Sequence, residues 1–226
     1  MSESPVTARM YDVTYYDLSV MLIPETKSVY GDNTIMFKTL KELDSVQIDL
    51  DPRMQVKSVF SPEIRDYLKY RRTGNLLYIF PKHPIKIGVG FAIKIDFQEA
   101  AVKDNPPIWD GGFSWNKDAG GNDMINTLPK AKGNAPWWPC KFNSADKPDS
   151  MKIQCMIPAK DECTSNGKLL WVSDIVPMEW SFPADPKKKF TYPIRIFTWK
   201  VNYPISPADV KLEVNIDAGK IKKKMK

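Results

Sequence analysis

Val89, Phe91, Ile93, Ile95 and Phe97 are spaced strictly by two along the chain. Side chains of a strand alternate between its two faces, so this run has one buried face and belongs to a sheet. The same period returns elsewhere. Leu18, Val20 and Leu22 alternate with Asp17, Ser19 and Met21, and Val46, Ile48 and Leu50 repeat the pattern. Pro24-Glu25-Thr26-Lys27 reads as a turn, and the chain returns through Val29 to Thr39, predicting a long hairpin. Met54 to Phe60 and Leu76 to Phe80 are further strands, with Arg71 to Asn75 as the turn between them. Met151 to Ile157, Leu169 to Val172, Thr191 to Val201 and Val210 to Ile216 complete the set. Glu63 to Tyr70 is the one short stretch with helical spacing.

The 226 residues include 19 prolines and 11 glycines, which suits many short strands joined by turns. The reading is an all-β, multi-sheet antiparallel sandwich or saddle. It forms a single domain over residues 1–217, followed by a basic tail at 218–226. From Ala101 to Pro148 the alternation stops. Pro106-Pro107, Gly111-Gly112, Gly120-Gly121 and Pro136-Trp137-Trp138-Pro139 predict a long irregular Trp/Gly/Pro-rich loop, a kind that is usually functional.

Charge and composition remove several function classes. The net charge of +6 is concentrated in Lys187-Lys188-Lys189 and in the lysines from Lys220 onward, so the body carries no basic face for nucleic acid. No apolar run approaches the length of a membrane span, and Met1 to Pro5 lacks the features of a signal peptide, so a soluble, cytoplasmic protein is expected. Cys140, Cys155 and Cys163 do not make a disulfide framework; a Cys155–Cys163 pair stays open. His83 is the only histidine, in the turn Pro81 to Pro84. An H-E-x-x-H zinc helix needs two histidines, so none is present, and no metal ligands are assigned. Nucleophile elbows and phosphate loops are also absent.

Five segments in order resemble one family. They are Gly111-Gly112-Phe113-Ser114-Trp115, Trp137-Trp138-Pro139-Cys140-Lys141, Asp146-Lys147-Pro148-Asp149-Ser150-Met151, Ser165-Asn166-Gly167-Lys168-Leu169 and Trp199 to Ile205. With the opening Tyr11 to Leu18, the chain resembles the N-terminal saddle-like β domain of the aminopeptidase N-like zinc metallopeptidases, nearest a variety often found in Bacteroidetes-type bacteria. The resemblance implies a non-catalytic domain with a structural, docking and cleft-forming role. The zinc cofactor belongs to the full-length family and not to this chain. The implied partner is a protein, either a catalytic domain or an assembly partner.

In the family, this domain lends a Glu or Gln to hold the substrate's α-amino group. The matching position here is Lys130, which has donors and no acceptor, and the family's acid after Lys141 is Phe142. By resemblance the substrate-cleft candidates are Lys130, Trp137 and Trp138, and the interface candidates are Trp109 and Trp115. Whether these tryptophans face a partner or fill local core stays open. So do two other readings: an independent protein- or carbohydrate-binding module, and an accessory subunit tethered by its basic tail.

Overall fold

The computed structural model describes residues 10–99, 112–128, 136–141, 146–182 and 185–216. Among these residues sixteen strands run in chain order. They are β1 (Tyr11–Ile23), β2 (Ser28–Thr39), β3 (Val46–Asp49), β4 (Gln55–Ser61), β5 (Asp66–Tyr67), β6 (Lys69–Thr73), β7 (Leu76–Phe80) and β8 (Gly90–Glu99). After them come β9 (Gly112–Lys117), β10 (Asp123–Leu128), β11 (Ser150–Pro158), β12 (Glu162–Ser165), β13 (Lys168–Val172), β14 (Val176–Phe182), β15 (Asp185–Val201) and β16 (Leu212–Asn215). The all-β, multi-sheet expectation holds. Among the described residues, no helix is long and apolar enough to cross a membrane.

The strands form three sheets. The largest has nine, in the order β13-β15-β11-β1-β2-β8-β4-β5, with β14 also on β15. A four-stranded sheet runs β12-β16-β10-β9 and a three-stranded one β3-β7-β6. Every named pair is antiparallel except β1 with β11, where Tyr15 faces Ser150 and Met21 faces Met156. The large sheet is therefore two antiparallel halves joined at one parallel seam. One half takes its strands from β1 to β8 and the other from β11 to β15, and the seam joins strands that no short turn could connect.

One face of the large sheet is apolar. Leu18 and Val20 on β1, Ile35 and Phe37 on β2, Ile93 and Ile95 on β8, and Ile153 on β11 are buried in one cluster. The two smaller sheets supply its other side, through Ile48, Leu77 and Ile79 from one and Ile125, Leu212 and Val214 from the other. The opposite face is polar. Lys152 pairs with Asp17 at 2.8 Å and Lys94 with Asp32 at 3.3 Å. Ser19 donates to Gln154, and Gln154 donates to Thr198. This is the two-faced pattern that the alternation predicts.

Three expectations need correction. Glu63 to Tyr70 is not helical: turn residues lead into β5 and then β6. The apolar spacing there serves strand pairing, with Tyr67 facing Phe60 and Tyr70 facing Ile79. The turn between β6 and β7 is narrower than Arg71 to Asn75, because Arg71–Thr73 are paired with Leu76–Tyr78. Finally, the irregular loop contains a hairpin. β9 and β10 pair from Gly112↔Leu128 to Lys117↔Asp123, and β10 then pairs with β16. At the hairpin tip, Asp118 accepts from the Gly120 and Asn122 amides, both at 2.8 Å. Short, glycine-flanked strands of this kind take their order from long-range pairing rather than from local pattern.

The Ser165 to Leu169 segment carries the chain from the four-stranded sheet to the large one. Asn166 accepts from the Lys211 amide at 2.6 Å, and Ser165 donates to Lys211 O at 2.8 Å. Gly167 has φ +85, and a Cβ there would stand 2.4 Å from Lys200 O. Only glycine fits. Gly167→Ala is expected to cost about 1–3 kcal/mol, measured as a lower urea midpoint with an unchanged m value.

Glu99 is buried at the end of β8. Burial pushes its carboxyl above the usual range, Arg53 pulls it down and Asp51 pushes it up. A raised folded pKa means that the folded state favours the protonated form. Stability from this group is complete below the unfolded value of 4.5 and is lost as pH rises through the folded value. Glu99→Gln should therefore raise the melting temperature near neutrality, and that gain should vanish below about pH 4, as followed by thermal melts across pH.

Candidate functional site

The segment Pro136 to Lys141 belongs to none of the named strands, so its backbone must find partners elsewhere. It finds them on both sides. Asp51 donates its amide to Pro136 O at 2.8 Å, and Asp49 and Cys140 exchange both backbone bonds. From the large sheet, Asn33 donates to Pro139 O at 2.8 Å. The Lys141 amide donates to the Tyr16 hydroxyl at 3.0 Å. The segment thus joins β1 and β2 to β3 and the turn after it.

The side chains make the same bridge. Trp138 is fully buried, with its ring edge-on to Tyr16 at 4.9 Å. Trp137 is 5% exposed and meets Phe113 of β9 at 4.9 Å. Whether the double tryptophan faces a partner or fills the core was open in the sequence; both rings lie in the core. They do not form an exposed aromatic row of the kind a carbohydrate module would present.

Lys141 is buried as well. Its ammonium pairs with Asp146 and donates to Tyr11 O, and it lies 4.3 Å from the centre of the Tyr11 ring. The side chains of Lys141 and Asp146 are 4% and 9% exposed. An ion pair this deep gains little net stability over an apolar pair, but losing one partner strands the other charge. Burial pushes the Tyr11 and Tyr16 hydroxyls far up, so Tyr11 stays a donor to Gln47 O. Burial likewise raises the Cys140 thiol. A buried, protonated thiol is a packing group rather than a nucleophile.

The remaining sequence candidates fall in different places. Lys130 and Trp109 lie outside the described residues, as does the tail at 218–226. Trp115 is half-buried against the core and lines an open cleft of about 640 Å³ with Pro24, Met124 and Ile216. Lys117 and Asp123, paired at 2.7 Å, also line it. The structure brings Trp137 and Trp138 together at 6.2 Å and does not bring Trp115 into ring contact with them. His83 is exposed. Cys155 and Cys163 are free thiols in contact with each other. No group of three His, Cys, Asp or Glu side chains among the described residues could hold a metal.

Sequence reasoning missed one surface. Leu169, Leu170, Trp171 and Val172 on β13 are 39–51% exposed, and Ile175 and Val176, beyond Ser173 and Asp174, are exposed too. In the sequence these residues read as a strand, with neither face assigned. The available signal was their lack of alternation on a strand with only one neighbour.

No protein-family model matches the chain, and no curated protein matches it. Solved structures do. A crystal structure of an M1 zinc metallopeptidase from Deinococcus radiodurans superposes with a TM-score of 0.67 at 17% identity, over 92% of this chain and 42% of that one. A two-domain M1 zinc metallopeptidase variant bound to L-tryptophan gives 0.65 at 16%, over 92% and 43%. This chain has the fold of a part of those enzymes. It spans less than half of their length.

If Lys141 and Asp146 act as a charge bridge, either single change should be worse than both together. Lys141→Met should cost about 3–5 kcal/mol by stranding Asp146. The double variant Lys141→Met/Asp146→Leu should recover most of that loss in chemical denaturation.

Proposed function

We propose that this chain is the N-terminal β domain of an aminopeptidase N-like zinc metallopeptidase, nearest the Bacteroidetes-type variety. In this reading it has a structural and cleft-forming role and no zinc site of its own. One observation carries the reading: the fold matches nearly the whole of this chain to well under half of the enzymes. The five motif segments in family order support it. Two of them have structural roles that fit a scaffold, since Trp137 to Lys141 bridges sheets and Ser165 to Leu169 links them. With a single histidine, metal chemistry would come from a catalytic domain.

The domain's own share of substrate binding is altered in this reading. An α-ammonium group is held by acceptors, and Lys130 offers only donors. The chain would shape the cleft without binding the substrate's amino terminus.

A chimera tests this directly. This chain would replace the matched part of the Deinococcus enzyme, and hydrolysis of aminoacyl anilides would be followed. Activity should require the added catalytic domain and its zinc. Lys130→Gln in the chimera should raise kcat/KM by about tenfold, the effect of ~1.4 kcal/mol. The chain alone should neither bind stoichiometric zinc nor hydrolyse the substrate; zinc-dependent turnover by these 226 residues would overturn the proposal.

A further inference from the structure

The large sheet ends on one side at β13, and β14 continues the same edge along β15. Among the described residues nothing pairs with the outer side of β13. All five of its residues are exposed, and four are large and apolar. Edge strands are normally guarded against association by proline, charge or bulges. β14 has such guards in Pro177 and Glu179. β13 has a bulge at Leu170 and no other guard: no proline, and no charge between Lys168 and Asp174.

The outer edge has bonding groups to offer. Ser173 donates its amide to Ile196 O at 2.9 Å. Bonding groups alternate along a strand, so the amide and carbonyl of Val172 point away from β15. The charges are also unbalanced. Lys168 stands directly opposite Lys200, and neither is in an ion pair among the described residues. Like charges in that position are destabilising. Asp174, exposed past the other end of the apolar run, is equally without a basic partner among the described residues.

We propose that β13 is a docking strand for a second copy of this chain, the two strands pairing antiparallel about a twofold axis at Trp171. In that register Lys168 of each copy faces Asp174 of the other, at both ends of the contact. Leu170 faces Val172 of the second copy, and the outward Val172 groups enter the ladder. The acid arrives where Lys168 and Lys200 confront each other. Parallel pairing would set lysine against lysine, and a one-residue slip would move Lys168 off Asp174, so charge selects both direction and register. The occupant is self-complementary, as a twofold contact requires. The strip is short, which places the dimer among weak, concentration-dependent interfaces. The inference does not depend on the aminopeptidase reading, since it concerns one sheet edge only.

Sedimentation of the full chain from about 5 to 500 µM spans the range of weak interfaces. The expected result is a reversible monomer–dimer equilibrium. Asp174→Lys sets like charges together at both ends and should weaken the dimer at least about tenfold, a shift of ~1.4 kcal/mol. The exchange Lys168→Asp/Asp174→Lys should restore it, and Leu170→Lys should abolish it. All three positions are exposed, so the circular dichroism of each variant should stay that of the parent. A monomer at every concentration would overturn the proposal. So would a dimer that Asp174→Lys and Leu170→Lys leave unchanged, or a charge exchange that does not rescue.

Discussion

The apolar face of the nine-stranded sheet has to be kept from water, and no single element of this chain is wide enough to do it. Two small sheets share the task, one built from residues before β8 and one from residues after it. Two separate covers leave a join between them, and a join is where unpaired backbone collects. The segment from Pro136 to Lys141 fills that place. It exchanges backbone bonds with Asp49 on one cover, sets Trp137 against Phe113 of the other, and accepts from Asn33 of the sheet beneath. The three layers are locked together by a stretch that has no secondary structure of its own.

This arrangement explains why the segment gathers so many ionisable groups at depth. Lysine, cysteine and two tyrosines converge on it, a set that elsewhere marks an active site. Here each is deeply buried, the phenols and the thiol are held protonated by burial, and the lysine is neutralised by Asp146. The polar groups fix which backbone atoms meet. Perturbed ionisation is a sign of enclosure first and of catalysis only when a substrate can reach the group.

Much of the fold was legible in the sequence because period two survives wherever one face of a strand is buried. β1, β2, β3 and β8 show it plainly, and the turn at Pro24 announces itself. β9 and β10 were not legible, since a six-residue strand framed by glycine gains its register from β16, far along the chain. The helical spacing at Glu63 misled because a tight run of turns and short strands can imitate it. At the site, the residues that matter were visible and their depth was not. A tryptophan pair reads the same on a surface as in a core. Exposure was equally hidden at β13, where Leu-Leu-Trp-Val reads as a strand and lies on the outermost position of the sheet. Burial depends on how many neighbours a strand has, and that is a property of topology.

The parallel seam has a consequence in time. β1 leaves the ribosome before the other described strands, yet its partner across the seam arrives much later: Ser19 and Gln154 are separated by 135 positions. At synthesis rates of roughly 5–20 residues per second, that is a wait on the order of ten seconds. During it, β1, β2, β8 and β4 can associate as a half-sheet, while the flank of β1 reserved for β11 stays open. The nascent chain therefore passes through a stage in which β1, central in the finished sheet, is an open edge. A cell making this protein must keep that strand from other chains until residue 158 has been added.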